Sequence, residues 1–457
     1  SPPLIPHPYL PFLGHVLGMF WHGARYFAIV NAKTQYPIFT LQTLVKRTVV
    51  VIDPGLATVI QKKSPNLTFY GMILEVTKRL VGLDEKTMEI VRWNLNGEHG
   101  PHEGLMNESE EMISGSLGPG PNLNALSTTQ LEQFSTLLNG LLPTEMEKGN
   151  DELTTGLLDF VKQTFTQANA YTVYGPKNPF ILHPHLIQSF WTFEAGMIGL
   201  MADILPSLTS RRSWKARREL NSALREFVEK GHYASASPMI QKRVAINLKH
   251  GFTTTMAGRS ELILLFGILG NAVPTTFWFL ANIFSRPDLL ATLREETLGA
   301  VQTDDKGKVV NMLVLKSRCP LIVSTYRETL RQIGNLSSVR LVTGTHTISA
   351  PGHAPYVLTE GNMIQIASGV IHVSPATWGT DAGEFNPERW TTTDADSHMD
   401  KDERTALPLP KNVPSAAFRA FGGGSVLCPG RHFAMTEILG FVTLCIHMFD
   451  ITDAQGG

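Results

Sequence analysis

Phe421-Gly-Gly-Gly-Ser-Val-Leu-Cys428-Pro-Gly430-Arg431-His-Phe-Ala434 presents one thiol between an aromatic with a glycine run upstream and a Pro-Gly pair that opens an apolar helix downstream. Glycines at 422 to 424 and at 430 permit positive φ, so the backbone can pass close to a planar macrocycle where a Cβ would collide. Residues from Arg431 through Gly440 read as a helix. Its unpaired N–H groups and positive dipole end favour thiolate over thiol at Cys428. Pro429 lacks an N–H, which leaves Gly430 and Arg431 as the donors. Cys428 is therefore the candidate axial ligand of a haem iron, and a thiolate there favours O–O cleavage. A buried Cys packed as a small hydrophobe beside an ordinary glycine turn fits the same residues. A phosphate-binding loop does not, because no Gly-Lys-Ser/Thr ending follows.

Upstream, Cys319-Pro-Leu-Ile-Val-Ser-Thr-Tyr-Arg-Glu328-Thr-Leu-Arg331 reads as an apolar helix with an acid and a base three residues apart on one face. Between it and the cysteine stretch lies Phe385-Asn-Pro387-Glu388-Arg389-Trp390. Glu-x-x-Arg, Pro-Glu-Arg-aromatic and Phe-x-x-Gly-x-x-x-Cys-x-Gly, in that order, resemble the three diagnostic motifs of the cytochrome P450 superfamily. The resemblance extends over essentially the whole chain. It implies a mainly α fold, one large helical domain over residues 1–457 with a small sheet near the N-terminus. The cofactor it implies is haem b, iron protoporphyrin IX, cradled by Phe421, Gly422, Gly424, Cys428, Gly430 and Ala434.

By the same resemblance Glu328, Arg331 and Arg389 form a buried structural network, and Arg340 sends its guanidinium to a haem propionate. Two departures stand out. Most relatives carry Arg or His two residues before the ligand cysteine, where this chain has Val426. No Trp-x-x-x-Arg occurs in the helix expected across a propionate, roughly residues 115 to 140. Propionate anchoring is thus thinner than usual or comes from groups the motifs do not name.

Residues 262 to 284 contain no charge, long enough for a membrane span. Asn271, Pro274, Thr275 and Thr276 in their middle argue instead for a long core helix, similar to the family's helix over the distal haem face. Where most members have an acid followed by threonine, this chain has Gly270-Asn271. Comparable arrangements occur in the branch with prostacyclin synthase and the sterol 7-alpha and 12-alpha hydroxylases. Pro274 has no N–H, so the carbonyl of Gly270 loses its helical partner. That carbonyl, the Asn271 amide and Thr275 are the candidate catalytic groups on the oxygen side, unless Pro274 merely kinks a core helix.

The chain carries 40 acids against 39 bases, with no electrostatic footprint for nucleic acid. Three cysteines offer no disulfide framework, consistent with a reducing compartment. Residues 38 to 52 read as a hairpin with its turn near Lys46-Arg47, and helical periodicity dominates from about 183 until the loops after 340. The loop of roughly 95 to 125 is expected to be a mobile entrance, lining the substrate pocket with the 190 to 210 segment and residues 332 to 339. The proline-rich opening Ser1-Pro-Pro-Leu-Ile-Pro-His-Pro resembles the segment after the N-terminal membrane anchor of eukaryotic microsomal members, with the anchor removed; a soluble bacterial enzyme is the competing explanation. The resemblance is to fungal members.

The apolar stretch Met197 to Leu208, followed by Arg211, Arg212, Lys215, Arg217 and Arg218, suits contact with anionic lipid. A basic solvated helix face fits it as well. Lys411, Arg419 and Arg431 are expected to dock an acidic electron-transfer protein. Together these readings imply a monooxygenase of hydrophobic small molecules, in secondary-metabolite or sterol and terpenoid biosynthesis. It would sit at the endoplasmic reticulum membrane, facing the cytosol and fed with electrons from NADPH by cytochrome P450 reductase. The alternatives are an isomerase or dehydratase acting on a peroxide substrate without O2 or reductase, and a haem-binding sensor or carrier.

Overall fold

The computed structural model describes residues 1–43, 47–62, 64–95, 97–147, 153–304, 307–335, 337–391 and 409–453. Its chain divides into two compact units, Ser1–Met72 with Pro320–Cys428, and Ile73–Cys319 with Pro429–Gly457.

The first unit is built on a six-stranded sheet in the order Leu4–Ile5, Ile38–Gln42, Arg47–Val51, Met363–Ala367, Ser337–Val342, Leu67–Thr68. The expected hairpin forms, with Ile38 opposite Val51 and Gln42 opposite Arg47. Lys46 lies outside the described residues. Val49, Val50 and Val51 are all fully buried because the sheet is covered on both faces. Val49 and Val51 pack with Ile364, Ile366, Trp378 and Trp390. Val50 points the other way, to Phe39, Leu41, Tyr26 and Phe27. Each such side chain contributes roughly 1.5–3 kcal/mol by leaving water. The strand Met363–Ala367 runs parallel to Arg47–Val51 and antiparallel to Ser337–Val342. The sheet is therefore N-terminal only in part.

The helix Pro54–Gln61 starts where Asp53 accepts a hydrogen bond from the Leu56 N–H at 2.8 Å, with Pro54 pre-set for the first turn. Leu56, Ala57 and Ile60 join the core with Val49 and Val51. This fixes Gln61, the last residue of the helix, beside the cysteine loop.

The second unit is helical, with a two-stranded sheet of Val301–Asp304 and Gly307–Val310. Helices Leu105–Leu117, Pro121–Glu147 and Leu157–Tyr174 occupy much of the stretch before residue 183. Most of the expected 95 to 125 loop is thus helix. Its Asn, Ser, Thr and Gly content blurs the apolar period, and tertiary packing supplies what local pattern does not. The helix after Cys428 runs to Met448, past Gly440. A Cβ at Gly440 would lie 2.2 Å from Leu131 Cδ2, so glycine here marks a close helix crossing and not an end. Phe134, Phe165 and Phe441 close that contact, with ring centroids 4.8 to 4.9 Å apart.

The uncharged stretch is the central part of a 31-residue helix, Thr254–Phe284, capped by Thr253 on the Met256 N–H. It is long and apolar enough to cross a membrane, yet half of its most apolar window is buried within the protein. Directly before the uncharged stretch, Glu261 is fully buried on Arg243 at 2.9 Å and within hydrogen-bonding reach of Tyr174. An ion pair locked among neighbouring helices belongs to a protein core, as the polar residues within the stretch suggest.

Candidate active site

The loop before Cys428 is a short 3-10 turn, Gly424–Val426, closed by the Cys428 N–H donating to the Phe421 carbonyl at 3.0 Å. Gly422 and Gly424 take positive φ, +82° and +63°. Gly423 is extended and Gly430 has φ −82°, so the expectation of positive φ at those two positions is corrected. At Gly424 the requirement is steric as well. A Cβ there would stand 2.4 Å from the Gln61 carbonyl oxygen. In the first unit the glycine run is therefore needed by the close approach of the Pro54–Gln61 helix. Cys428 is partly exposed, whereas Cys319 and Cys445 are buried. Burial pushes the Cys319 thiol up to about 11 and the Cys445 thiol up as well. Of the three thiols, only Cys428 is open to approach from outside. In the chain after it, the Ala434 N–H bonds to the Gly430 carbonyl at 2.9 Å in the first turn of the Arg431–Met448 helix.

Beside this loop lies a saturated charge network. Arg331 grips Glu328 at both oxygens, 2.9 and 2.6 Å, and donates onward to the carbonyls of His372, Ala382 and Glu384. Arg389 donates from Nε to both Glu328 oxygens and from Nη2 to Asp381 at 2.9 Å. The Asn386 N–H donates to Glu328, and the Trp390 N–H to Ser324. All three motif residues are buried and mutually satisfied. Asp381 is a fourth member that no motif names; its hydrogen bond from Arg389 holds its carboxyl below the usual range.

Two other buried arginines have no such partners. Arg340, in the strand Ser337–Val342, is 2% exposed, and Arg419 is 4% exposed. Arg340 donates from Nη1 only to the neighbouring Val339 carbonyl, and Arg419 from Nη1 to the Ala416 carbonyl. Arg340 Nη2 and Arg419 Nε and Nη2 make no hydrogen bond, and neither side chain forms an ion pair among the described residues. Burial depresses the charge on both; Arg340 adds to the effect on Arg419, which falls to about 10. The Arg419 backbone N–H is held by His372 Nε2 at 2.8 Å. Arg419 is thus removed from the expected docking surface: it points inward, and its orphaned N–H groups call for an anion.

On the long helix, Thr275 donates its hydroxyl to the Asn271 carbonyl at 2.8 Å, and Thr276 to Ala272. Both hydroxyls serve the helix backbone around Pro274. Gly267, Asn271 and Trp278 form an exposed stripe, with Gly270 and Pro274 half-buried beside it. Among the described residues no hydrogen bond engages the Asn271 side-chain amide. On the helix expected to cross a propionate, Gln130 is fully buried with neither polar side-chain atom hydrogen-bonded. The sequence carried no signal for it.

Compared with known proteins, residues 141–457 match the family described as Cytochrome P450. The chain belongs to the cytochrome P450 family. A cytochrome P450 monooxygenase, nodJ of Hypoxylon pulicicidum, is 28% identical over 99% of this chain and 84% of its own length. The 5-beta-cholestane-3-alpha,7-alpha-diol 12-alpha-hydroxylase of Sus scrofa is 22% identical over 97% of this chain and 85% of its own length. Among solved structures, retinoic acid bound cyanobacterial CYP120A1 shares the fold with a TM-score of 0.70 at 18% identity, covering 98% of this chain and 92% of that one. The chain is thus a mainly helical, fungal-type P450 resembling the sterol-hydroxylase branch, and an oxidoreductase of the monooxygenase kind.

Membership in the P450 family implies a haem-iron cofactor, and the first unit meets what that group demands. One accessible thiol is set on a glycine-tightened loop. Two buried guanidiniums with unmet N–H groups suit two carboxylates, and Val426 supplies no third cation.

Proposed function

We propose that residues 1–457 act as one catalytic domain that oxidises a hydrophobic small molecule in secondary-metabolite or sterol and terpenoid biosynthesis. Electrons would come from NADPH through cytochrome P450 reductase at the endoplasmic reticulum membrane. The observation that carries the reading is the pair of buried, unpaired guanidiniums, Arg340 and Arg419, in the same unit as the one accessible thiol. Haem bound at Cys428 supplies oxygen activation and one-electron chemistry. Phe421, Gly422, Gly424 and Gly430 shape the backbone around the ligand, and Ala434 leaves room in the first turn of the following helix. Arg340 and Arg419 hold the two propionates by charge-assisted hydrogen bonds. Glu328, Arg331 and Arg389 keep the supporting core rigid.

On the oxygen side the Gly270 carbonyl, left without its helical donor by Pro274, and the Asn271 amide orient a water or a substrate hydroxyl. Thr275, whose hydroxyl is committed to the Asn271 carbonyl, fixes that turn. No carboxylate stands on this stripe, which also supports rearrangement of a peroxide substrate. Substituting Cys428→Ser is expected to abolish the thiolate-type Soret band of the reduced carbon-monoxide adduct, and an unchanged band would overturn the assignment. Product formation that needs both reductase and O2 supports oxidation. Turnover with neither establishes the rearrangement.

A further inference from the structure

In the second unit the ends of four helices enclose a cavity of about 270 Å³. Leu105–Leu117 and Leu157–Tyr174 bring their C-terminal ends to it, and Pro121–Glu147 and Pro238–Lys249 their N-terminal ends. The two negative ends are quenched within the chain. The Tyr171 carbonyl accepts from the Gly175 N–H at 2.8 Å, the Val173 carbonyl from the Ser237 N–H and hydroxyl at 3.1 and 2.8 Å, and the Gly115 carbonyl from the Asn122 amide at 3.1 Å. The positive end of Pro238–Lys249 is not. Ser237 stands at its N-cap, yet spends its hydroxyl on Val173 and makes no cap bond. Met239 and Ile240 are buried, and their N–H groups find no acceptor among the described residues. A buried helix start without a cap calls for an acceptor from elsewhere.

A second, independent group points the same way. Thr172 lines the cavity, is 5% exposed, and its hydroxyl has no hydrogen-bond partner. Thr164 on the same helix shows the usual alternative, donating to the Phe160 carbonyl one turn back at 2.9 Å. Thr172 forgoes the equivalent bond to Ala168. No carboxylate lines the cavity, and Lys242, exposed on its wall, forms no ion pair among the described residues. Leu126, Pro176, Pro238 and Met239 give it an apolar side. Orphaned donors and a cation beside an apolar wall match a molecule with an anionic head and an apolar body. One lysine and no arginine suit a singly charged carboxylate better than a phosphate, which guanidinium forks bind bidentately.

We propose that this cavity binds a small apolar carboxylic acid, with its carboxylate on the start of the Pro238–Lys249 helix and the Thr172 hydroxyl, and its body against Leu126 and Met239. The bound acid bridges four helix ends and so stabilises the second unit by mass action. The site uses none of the residues assigned to haem and does not depend on that assignment.

The test titrates the haem-loaded full chain with octanoate by calorimetry, with octan-1-ol as the neutral counterpart. Wild type should bind octanoate and prefer it to the alcohol. Thr172→Val keeps the shape and removes the hydroxyl. It should weaken octanoate about tenfold or more, the scale of a hydrogen bond to a charged group, and leave the melting temperature of the ligand-free chain unchanged or raised. Lys242→Gln should weaken octanoate about two- to fivefold, as for an exposed pair. A Thr172→Val chain that melts earlier without ligand and binds octanoate as wild type does would make the hydroxyl structural and overturn the site. Octanoate binding that shifts the haem Soret band and ignores both substitutions would place the acid at the haem and overturn it equally. If inorganic phosphate binds as tightly as octanoate with the same dependence on Thr172, the cavity takes anions without regard to an apolar body and the carboxylic acid assignment falls. Failure of wild type to bind octanoate, or equal binding of octan-1-ol, sinks the proposal outright.

Discussion

Two groups of arginines sit in the first unit, both buried, and they are built on opposite principles. Arg331 and Arg389 share Glu328, Arg389 also grips Asp381, and their remaining donors reach backbone carbonyls. Arg340 and Arg419 face no carboxylate within the described residues and keep unused N–H groups. The first group is complete in the polypeptide alone. The second lacks a counter-charge among the described residues, and in the function proposed above an anion from outside the chain completes it. A buried charge without a counter-charge costs several kcal/mol, so the difference separates a structural network from a binding site without reference to any motif.

The widest separation comes from breaking the complete network. Glu328→Ala leaves two buried guanidiniums facing each other, and a loss of about 3–5 kcal/mol is expected. Thermal unfolding and soluble yield should show a chain that folds poorly with or without added haem. A Glu328→Ala variant of normal stability would mean that the network is an ornament of the fold.

Arg419→Met should act with the opposite sign. It removes an uncompensated buried cation, so the haem-free protein is expected to gain roughly 1–4 kcal/mol, the range for replacing buried charge by apolar volume. Haem retention should fall at the same time, by about 10- to 150-fold for a lost charge-assisted hydrogen bond of roughly 1.5–3 kcal/mol. Transfer of haem to an apo-globin acceptor measures the second quantity and melting of the apoprotein the first. Haem carrying esterified propionates sharpens the comparison, because it should bind wild type and variant alike. If Arg419→Met destabilises the apoprotein and leaves haem transfer unchanged, Arg419 belongs with the complete network.

A third effect lies between the two groups. His372 gives its carbonyl to Arg331 and its ring nitrogen to the Arg419 N–H, so one residue touches both. Burial, then the charges of Arg331 and Arg419, lower its pKa from 6.5 to about 3. A folded value below the unfolded one means the contribution is intact above pH 6.5 and is lost as pH falls toward 3. The slope is up to about 1.4 kcal/mol per pH unit. Acid unfolding of wild type against His372→Gln should show a steeper wild-type slope in that window. Parallel slopes would place the acid sensitivity elsewhere.

The motif residues were legible because each carries its own spacing. Glu328 and Arg331 share one helical face, and Cys428 stands in a glycine pattern that the loop does require, with Gly422 and Gly424 at positive φ. The uncharged 262 to 284 stretch named its helix by length and composition, and the hairpin at 38 to 52 by two apolar, β-branched runs on either side of the basic Lys46-Arg47 turn. What escaped was non-local. Arg419 read as a surface base because nothing in Ala-Ala-Phe-Arg-Ala reveals that His372, 47 residues earlier, holds its backbone inside. Asp381 sits in a Thr-Asp-Ala-Gly turn whose composition says loop, and only the fold brings it to Arg389. The pairing of Met363 with Thr48 needs a partner strand some three hundred residues away, which no local period encodes. Of the helices before residue 183, only the one near 115 to 140 was expected, through the resemblance; the others went unread because their polar faces are broad and their order comes from packing.

Asp381 yields the smallest of these effects. Its side chain is 41% exposed, unlike that of Glu328, although both accept from Arg389. Solvent screens the outer half of this bridge, so Asp381→Asn should cost only about 1 kcal/mol near neutral pH, in the range of exposed pairs. Its carboxyl is held low by Arg389, so the contribution is present above the unfolded carboxylate range, near pH 4, and disappears as pH falls through the lower folded value. Wild type and Asp381→Asn should therefore converge in stability at strongly acidic pH while Glu328→Ala remains separate. A Asp381→Asn cost as large as that of Glu328→Ala would show that the network's rim and centre are one unit. The contrast with the unpaired arginines would then rest on Asp381 as much as on the motif.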